Sequence, residues 1–205
     1  MNYTNLKEFH IISCGTSLLT NIKGKDFKVN NLNEEEKNIL IDEIYNELCC
    51  DPKKYSAELN AFLKVVENKS PQNIEYFLIG TMTDDCLIVI ETLHKYLKHK
   101  NYNNNIDFYE YYYAGELSFE SNKNSINDNV LNDLQNSFKE KLKKLYDEVK
   151  KIVQNKKKQG YKIYFNCTGG LKAQVITLAK VGFDTESIIY YIPESFKRVV
   201  FFPNL

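Results

Sequence analysis

Residues 74–98, IEYFLIGTMTDDCLIVIETLHKYLK, decide the fold. The run from Ile74 to Gly80 is apolar and short, ends on a glycine, and reads as a strand. Beyond it Leu87, Ile90, Leu93 and Leu97 recur at intervals of three and four, so residues 84–98 form a helix with one apolar stripe. A strand, a loop and a helix in that order make half of a crossover unit, and the rest of the chain repeats the alternation.

On the N-terminal side, residues 7–14 read as a strand whose Phe9, Ile11 and Ile12 show little alternation, as in a strand buried on both faces. Two helices follow, over residues 34–48 with Ile41, Ile44 and Leu48, and over residues 56–67 with Leu59, Phe62, Leu63 and Val66. Asp51-Pro52 separates them. On the C-terminal side, residues 106–113 read as a further strand and 122–129 as a polar connector. Residues 130–156 form the longest helix, with Leu131, Leu134, Phe138, Leu142, Leu145, Val149 and Ile152 in one stripe. Residues 161–166 are a strand, 171–182 a helix, and 187–192 and 198–202 two closing strands. Strands alternating with helices predict an α/β fold with a mostly parallel central sheet and helices on both faces.

The 205 residues carry 27 Lys+Arg against 27 Asp+Glu, a balance that provides no general field for polyanions and argues against broad DNA coating. A 43% hydrophobic share excludes a disordered chain. No apolar run reaches the roughly 18 residues of a membrane span, and the polar start at Asn2, Thr4 and Asn5 is unlike a leader, so the expectation is a cytoplasmic protein without membrane contact. Cys14, Cys49, Cys50, Cys86 and Cys167 are odd in number and lack CxxC spacing, and His10, His94 and His99 are scattered; no metal site is expected. Cys14, Cys86 and Cys167 lie in or beside apolar runs, as small hydrophobes do. The Lys156-Lys157-Lys158 run reads as a solvated helix end suited to the helix dipole. Tyr109, Tyr111, Tyr112 and Tyr113 fit half-exposed sheet surface better than a base-stacking platform.

Chemistry concentrates in loops that leave strand ends, where open α/β sheets hold ligands. The first is Ser13-Cys14-Gly15-Thr16-Ser17-Leu18-Leu19-Thr20-Asn21: Gly15 permits close backbone approach, and Thr16, Ser17 and Thr20 bring hydroxyls. The second is Asn166-Cys167-Thr168-Gly169-Gly170-Leu171-Lys172, where paired glycines open backbone N–H groups at a helix start and Lys172 adds positive charge. Each is also compatible with an ordinary tight connection. Neither fits GxxxxGK[ST] or GxGxxG, which disfavours nucleoside triphosphate hydrolysis and hydride transfer. A third loop, Gly80 to Asp85, offers Thr81 and Asp84 to a ribose or an adenine edge; the plainer alternative is a helix cap by Thr83 or Asp84.

Together, Ile12-Ser13-Cys14-Gly15-Thr16-Ser17-Leu18-Leu19-Thr20-Asn21, Ser56-Ala57-Glu58-Leu59 and Asn166-Cys167-Thr168-Gly169-Gly170-Leu171-Lys172-Ala173 resemble the CRISPR-associated Rossmann-fold (CARF) proteins. Within that superfamily the chain is most similar to the standalone ring nucleases of type III CRISPR systems. The resemblance implies a Rossmann-like CARF domain and a homodimer that binds a cyclic oligoadenylate, most often the tetra-adenylate, across its two-fold axis, with no cofactor. By motif it implies catalytic roles for Ser17 and Lys172. It places Gly15, Thr16, Leu18, Thr20 and Asn21 in the first half of the ligand cleft and Asn166, Thr168, Gly169 and Gly170 in the second. Glu58 matches the acidic position of the Ser-Ala-Glu motif, and a helix-start role serves it equally. Many CARF proteins continue into a HEPN ribonuclease or a winged helix; here a single domain over residues 1–205 without an effector is expected, ending at Pro203-Asn204-Leu205.

The expected activity is cleavage of the ring by its own ribose 2′-hydroxyl, without metal, to di-adenylate ending in a 2′,3′-cyclic phosphate. A noncatalytic sensor acting on a separate partner is the main alternative, and a mononucleotide-binding Rossmann-like protein a third.

Overall fold

The computed structural model describes residues 7–29, 31–81, 83–104, 128–193 and 198–203. The expected strand over 106–113 with its tyrosines, most of the connector 122–129, and Asn204 and Leu205 lie outside the described residues, as do the side chains of Leu131 and Leu134. A parallel core of β1 (Glu8–Ser13), β2 (Ile74–Ile79), β3 (Lys162–Asn166) and β4 (Ile188–Tyr191) is closed by β5 (Val200–Phe201), antiparallel to β4. The order across the sheet is β2-β1-β3-β4-β5. Every residue of β1 and β2 is buried, the polar Glu8, His10, Ser13 and Glu75 included, which explains why neither strand alternates with a solvent face.

The pleat divides β1 between two cores. Phe9 and Ile11 pack toward α6 (Asp128–Lys158) and α7 (Lys172–Asp184), with Leu145, Val149, Val153, Leu178 and Val181. Ile12 faces the other way, with Tyr76 and Leu78, against α1 (Ser17–Lys23), α2 (Glu34–Cys50), α4 (Ala57–Val65) and α5 (Asp84–His99). Helices therefore cover both faces, as the alternation predicts. Asp51-Pro52 does more than separate two helices: Asp51 caps a four-residue helix, α3 (Pro52–Tyr55), by accepting from Lys54 N–H at 3.1 Å. The sequence reading also missed α1, five of whose seven residues lie inside the first chemistry-bearing loop.

Lys156 corrects a second expectation. It is not a solvated helix end: it is buried, ion-paired with Glu75, and its ammonium lies 5.0 Å from the Phe9 ring centroid and 4.9 Å from that of Tyr161. Lys157 and Lys158 are exposed.

Candidate functional site

From β1 the chain crosses to β2 on one side, then returns to β3 on the other, so the strand order reverses at the β1/β3 boundary. A crevice must open outside the carboxyl ends of these two strands, and ligands of open α/β sheets bind there. Both glycine-bearing loops leave the sheet at this point. They pack backbone to backbone: a Cβ on Gly15 would meet Gly170 N at 2.8 Å, and one on Gly170, whose φ is +102°, would meet Ser13 Oγ at 2.3 Å. Neither position accepts a side chain.

Between the loops lies a cavity of about 550 Å³. Gly15, Thr16 and Ser17 form one wall, and Thr168, Gly169 and Gly170 the opposite one. The sequence reading named all six, and the structure brings them together. It missed Ala57, Asn60 and Lys64, which line a third side from α4, and Ile192 and Pro193, which follow β4. A signal for the first group existed: positions 57, 60 and 64 share one helix face, away from the buried Leu59 and Phe62. Lys64 supplies a cation to the cavity wall.

Helix starts sharpen the picture. α2, α3, α4 and α5 are each capped by a side chain, from Asn33, Asp51, Ser56 and Thr83. α1 and α7, which begin at the cavity, have Thr16 and Leu171 at the cap position and no side-chain cap bond. The first N–H groups of α7 thus have no side-chain cap.

Beneath the cavity floor sits Glu58, fully buried. Its Oε1 accepts from Gly15 N–H at 3.0 Å, and its Oε2 accepts from Ser56 Oγ at 2.9 Å and Ser17 Oγ at 3.3 Å. Asn166, also buried, ties the second loop to the same helix: its Nδ2 donates to the Glu58 carbonyl at 2.9 Å and its Oδ1 accepts from Thr168 N–H at 3.2 Å. Thr168 Oγ1 in turn accepts from Ile192 N–H at 3.2 Å. Glu58 and Asn166 hold the walls in place and do not line the cavity.

Other expected site residues lie elsewhere. Leu18 is fully buried in the core under α1, because helix formation turns it inward. Thr20 donates to the Thr16 carbonyl at 3.2 Å within α1, and Asn21 donates to the Tyr55 carbonyl at 2.9 Å, clamping α1 to α3. Gly80 permits packing: a Cβ there would meet Cys86 Sγ at 2.5 Å. Thr81 Oγ1 pairs with Thr83 Oγ1 at 3.2 Å, and Thr83 caps α5. Asp84 turns toward Lys37 at 3.7 Å, and Asp85 accepts from Val29 N–H at 2.7 Å, so neither lines the cavity. Lys172 is exposed at the first residue of α7, outside the cavity lining.

Thiol chemistry is suppressed at this end of the sheet. Burial pushes the Cys14 thiol well above its ordinary range and the Cys167 thiol up to about 12, so both stay protonated at neutral pH.

Residues 53–205, three quarters of the chain including Glu58, the Thr168–Gly170 wall and Lys172, match one family throughout. The chain belongs to the CRISPR-associated protein family Cas_APE2256. This is a CARF-domain family, and the α/β architecture described above is that of a CARF protein. The match begins after Ser17, so the first wall of the cavity lies outside it. No curated protein matches the chain.

Proposed function

We propose that this CRISPR-associated protein acts as a single CARF domain that binds a cyclic oligoadenylate, foremost the tetra-adenylate, and cleaves it to di-adenylate ending in a 2′,3′-cyclic phosphate. Such cleavage ends type III CRISPR signalling. The observation that carries the reading is the convergence of two glycine turns and the uncapped start of α7 on one cavity at the sheet's switch point. Backbone N–H groups there suit phosphate oxygens, the hydroxyls of Thr16, Ser17 and Thr168 suit ribose, and Lys64 suits the ring's charge.

The chemistry needs no external nucleophile. A ribose 2′-oxygen forms a bond to phosphorus as the bond from phosphorus to the 5′-oxygen breaks. The 2′-hydroxyl proton leaves to solvent, and the 5′-oxygen takes one up. Two such events turn one ring into two dinucleotides with no water consumed, so holding the 2′-oxygen in line with phosphorus accounts for much of the acceleration. Lys172 acts on the charge that develops on the phosphoryl oxygens.

Lys172 stands outside the cavity of its own chain. A ring lying across the two-fold axis of a homodimer extends past the rim of either cavity, and Lys172 is exposed two positions beyond the lining Gly170. Leu171, 44% exposed, and Ile176, 69% exposed and four residues from Lys172 on the same helix, supply apolar surface for such an assembly. The same position of Lys172 favours a second reading, a sensor that holds the ring intact and passes the signal to a partner.

Calorimetric titration with cyclic tetra-adenylate, paired with light scattering, tests the reading. One ring bound per two chains, with AMP unable to compete, is the expected result. A monomer that prefers a mononucleotide would refute it.

A further inference from the structure

The hydroxyl of Ser17 has one proton, and Glu58 takes it. A carboxylate oxygen only accepts, so the Ser17–Glu58 contact at 3.3 Å has Ser17 as donor. The remaining donors around this carboxylate are committed in the same sense, Gly15 N–H to one oxygen and Ser56 Oγ to the other. Three donors thus converge on a fully buried group whose place is fixed from below by the backbone of α4 and from above by Gly169. What Ser17 has left for the cavity, which it lines, is lone pairs.

On the reading that the cavity takes a ring of ribonucleotides, we infer that Glu58 makes Ser17 a hydrogen-bond acceptor for a ribose 2′-hydroxyl rather than a donor to a phosphate oxygen. Glu58 is a positioning residue, one bond removed from the ligand. An acceptor at the 2′-hydroxyl draws its proton away from phosphorus, which leaves the 2′-oxygen lone pair turned toward it. A donor at the same place would do the opposite and hold the lone pair. The direction of one hydrogen bond therefore separates a serine that prepares the nucleophile from one that merely binds the ring. It also gives a carboxylate a place at an anion site: the charge is spent on three donors under the floor and does not face the phosphates.

The test uses the purified full chain and two rings, cyclic tetra-adenylate and its all-2′-fluoro analogue, in which the 2′ group can accept a hydrogen bond but not donate one, with affinities measured by rapid mixing within the first turnover. The wild type is expected to favour the ribose ring by about ten- to a hundredfold, the value of two such hydrogen bonds, one at the Ser17 of each protomer. In Glu58→Gln the amide NH2 donates to Ser17, so the serine proton turns into the cavity. Glu58→Gln, whose serine proton can meet a 2′-oxygen or a 2′-fluorine alike, and Ser17→Ala, which has no acceptor left, are both expected to lose most of the preference for ribose. Thermal melting checks that each variant folds. Should Glu58→Gln fail to fold, Ser17→Ala alone decides, and an undiminished preference there overturns the inference. A wild type that binds both rings equally, or variants that keep the full preference, overturns the inference and leaves ring binding standing. A wild type that binds neither ring overturns the ring reading itself, and the role of Glu58 with it.

Discussion

Glu58 lies so close beneath Gly169 that a Cβ added to the glycine would fall 2.0 Å from Glu58 Oε1. The relationship joins the two walls of the cavity, because the same carboxylate holds Gly15 and Ser17 on the far side. Gly169→Ala must push either the carboxylate or the second loop aside. Overpacking of this kind costs about 1–3 kcal/mol, and here the displacement falls on the ligand site as well. The variant is expected to melt below the wild type and to bind the ring weakly. Unchanged melting and binding would show that the two walls are not coupled through Glu58.

The two lysines near the site should separate in their effects. Lys64 lines the cavity, so Lys64→Ala is expected to raise the dissociation constant of the ring about tenfold, in line with a charge-assisted contact. Lys172 is exposed outside it, so Lys172→Ala is expected to leave binding nearly intact while slowing cleavage by roughly 100- to 1000-fold. Binding isotherms and single-turnover rates on both variants make the comparison. The reverse pattern would exchange the roles of the two residues.

At the opposite end of the sheet, Glu75 and Lys156 form a pair in which the side chains are 2% and 10% exposed. Lys156 pairs with Glu75 Oε1, and Glu75 Oε2 has no hydrogen-bond partner among the described residues. Lys156→Met would leave a carboxylate buried without its cation, a loss of about 3–5 kcal/mol, whereas Glu75→Gln combined with Lys156→Met removes both charges and should recover most of it. Denaturant unfolding of the single and double variants reads the difference. A double variant no more stable than the single would contradict the account.

Stability should fall on acidification, with a known sign. His10 is fully buried, stacked on Tyr164 at 4.5 Å, with Nε2 3.1 Å from Glu8 Oε2 and Nδ1 3.2 Å from Tyr190 Oη. A neutral ring satisfies both contacts, Nε2–H donating to the carboxylate and Nδ1 accepting from the phenol. Burial outweighs the pull of Glu8 and holds the His10 pKa below its ordinary 6.5. The unfolded chain therefore takes up this proton first, and stability declines as pH drops below about 6.5. Glu8 adds to the loss at lower pH. Burial raises its pKa, but hydrogen bonds from His10 and Lys69 more than offset this and bring it from 4.5 to about 2, so its contribution is full above 4.5 and vanishes as pH falls through about 2. Urea midpoints at pH 7.5, 6 and 5 should decrease in order, and His10→Gln should flatten the upper part of that slope. Equal midpoints at all three values would contradict the assignment.

The order of elements was legible because buried strands and amphipathic helices leave different periods: residues 74–98 gave β2 and α5 almost to the residue. α1 was not legible. Its seven residues follow a glycine and carry polar Thr20 and Asn21, so the stretch reads as loop until the inward Leu18 and Leu19 find the core of α2 and α5. The same hidden helix explains why Leu18, Thr20 and Asn21 fall away from the cavity. The six residues of the glycine turns were readable, since glycines at 15, 169 and 170 mark places where the packed loops admit no side chain. Lys156 was misread because a lysine run at a helix end says nothing of an acidic residue more than eighty positions away on a buried strand. Asn60 and Lys64 needed the tertiary placement of α4 against the β3 loop before their face acquired a meaning.

The mass of the product formed from cyclic tetra-adenylate in excess EDTA tests the central claim most directly. Attack by the ring's own 2′-oxygen adds no atoms, so the account predicts a dinucleotide of half the ring's mass, ending in a 2′,3′-cyclic phosphate. A ring recovered intact after prolonged incubation, or a primary product heavier by one water, would contradict it.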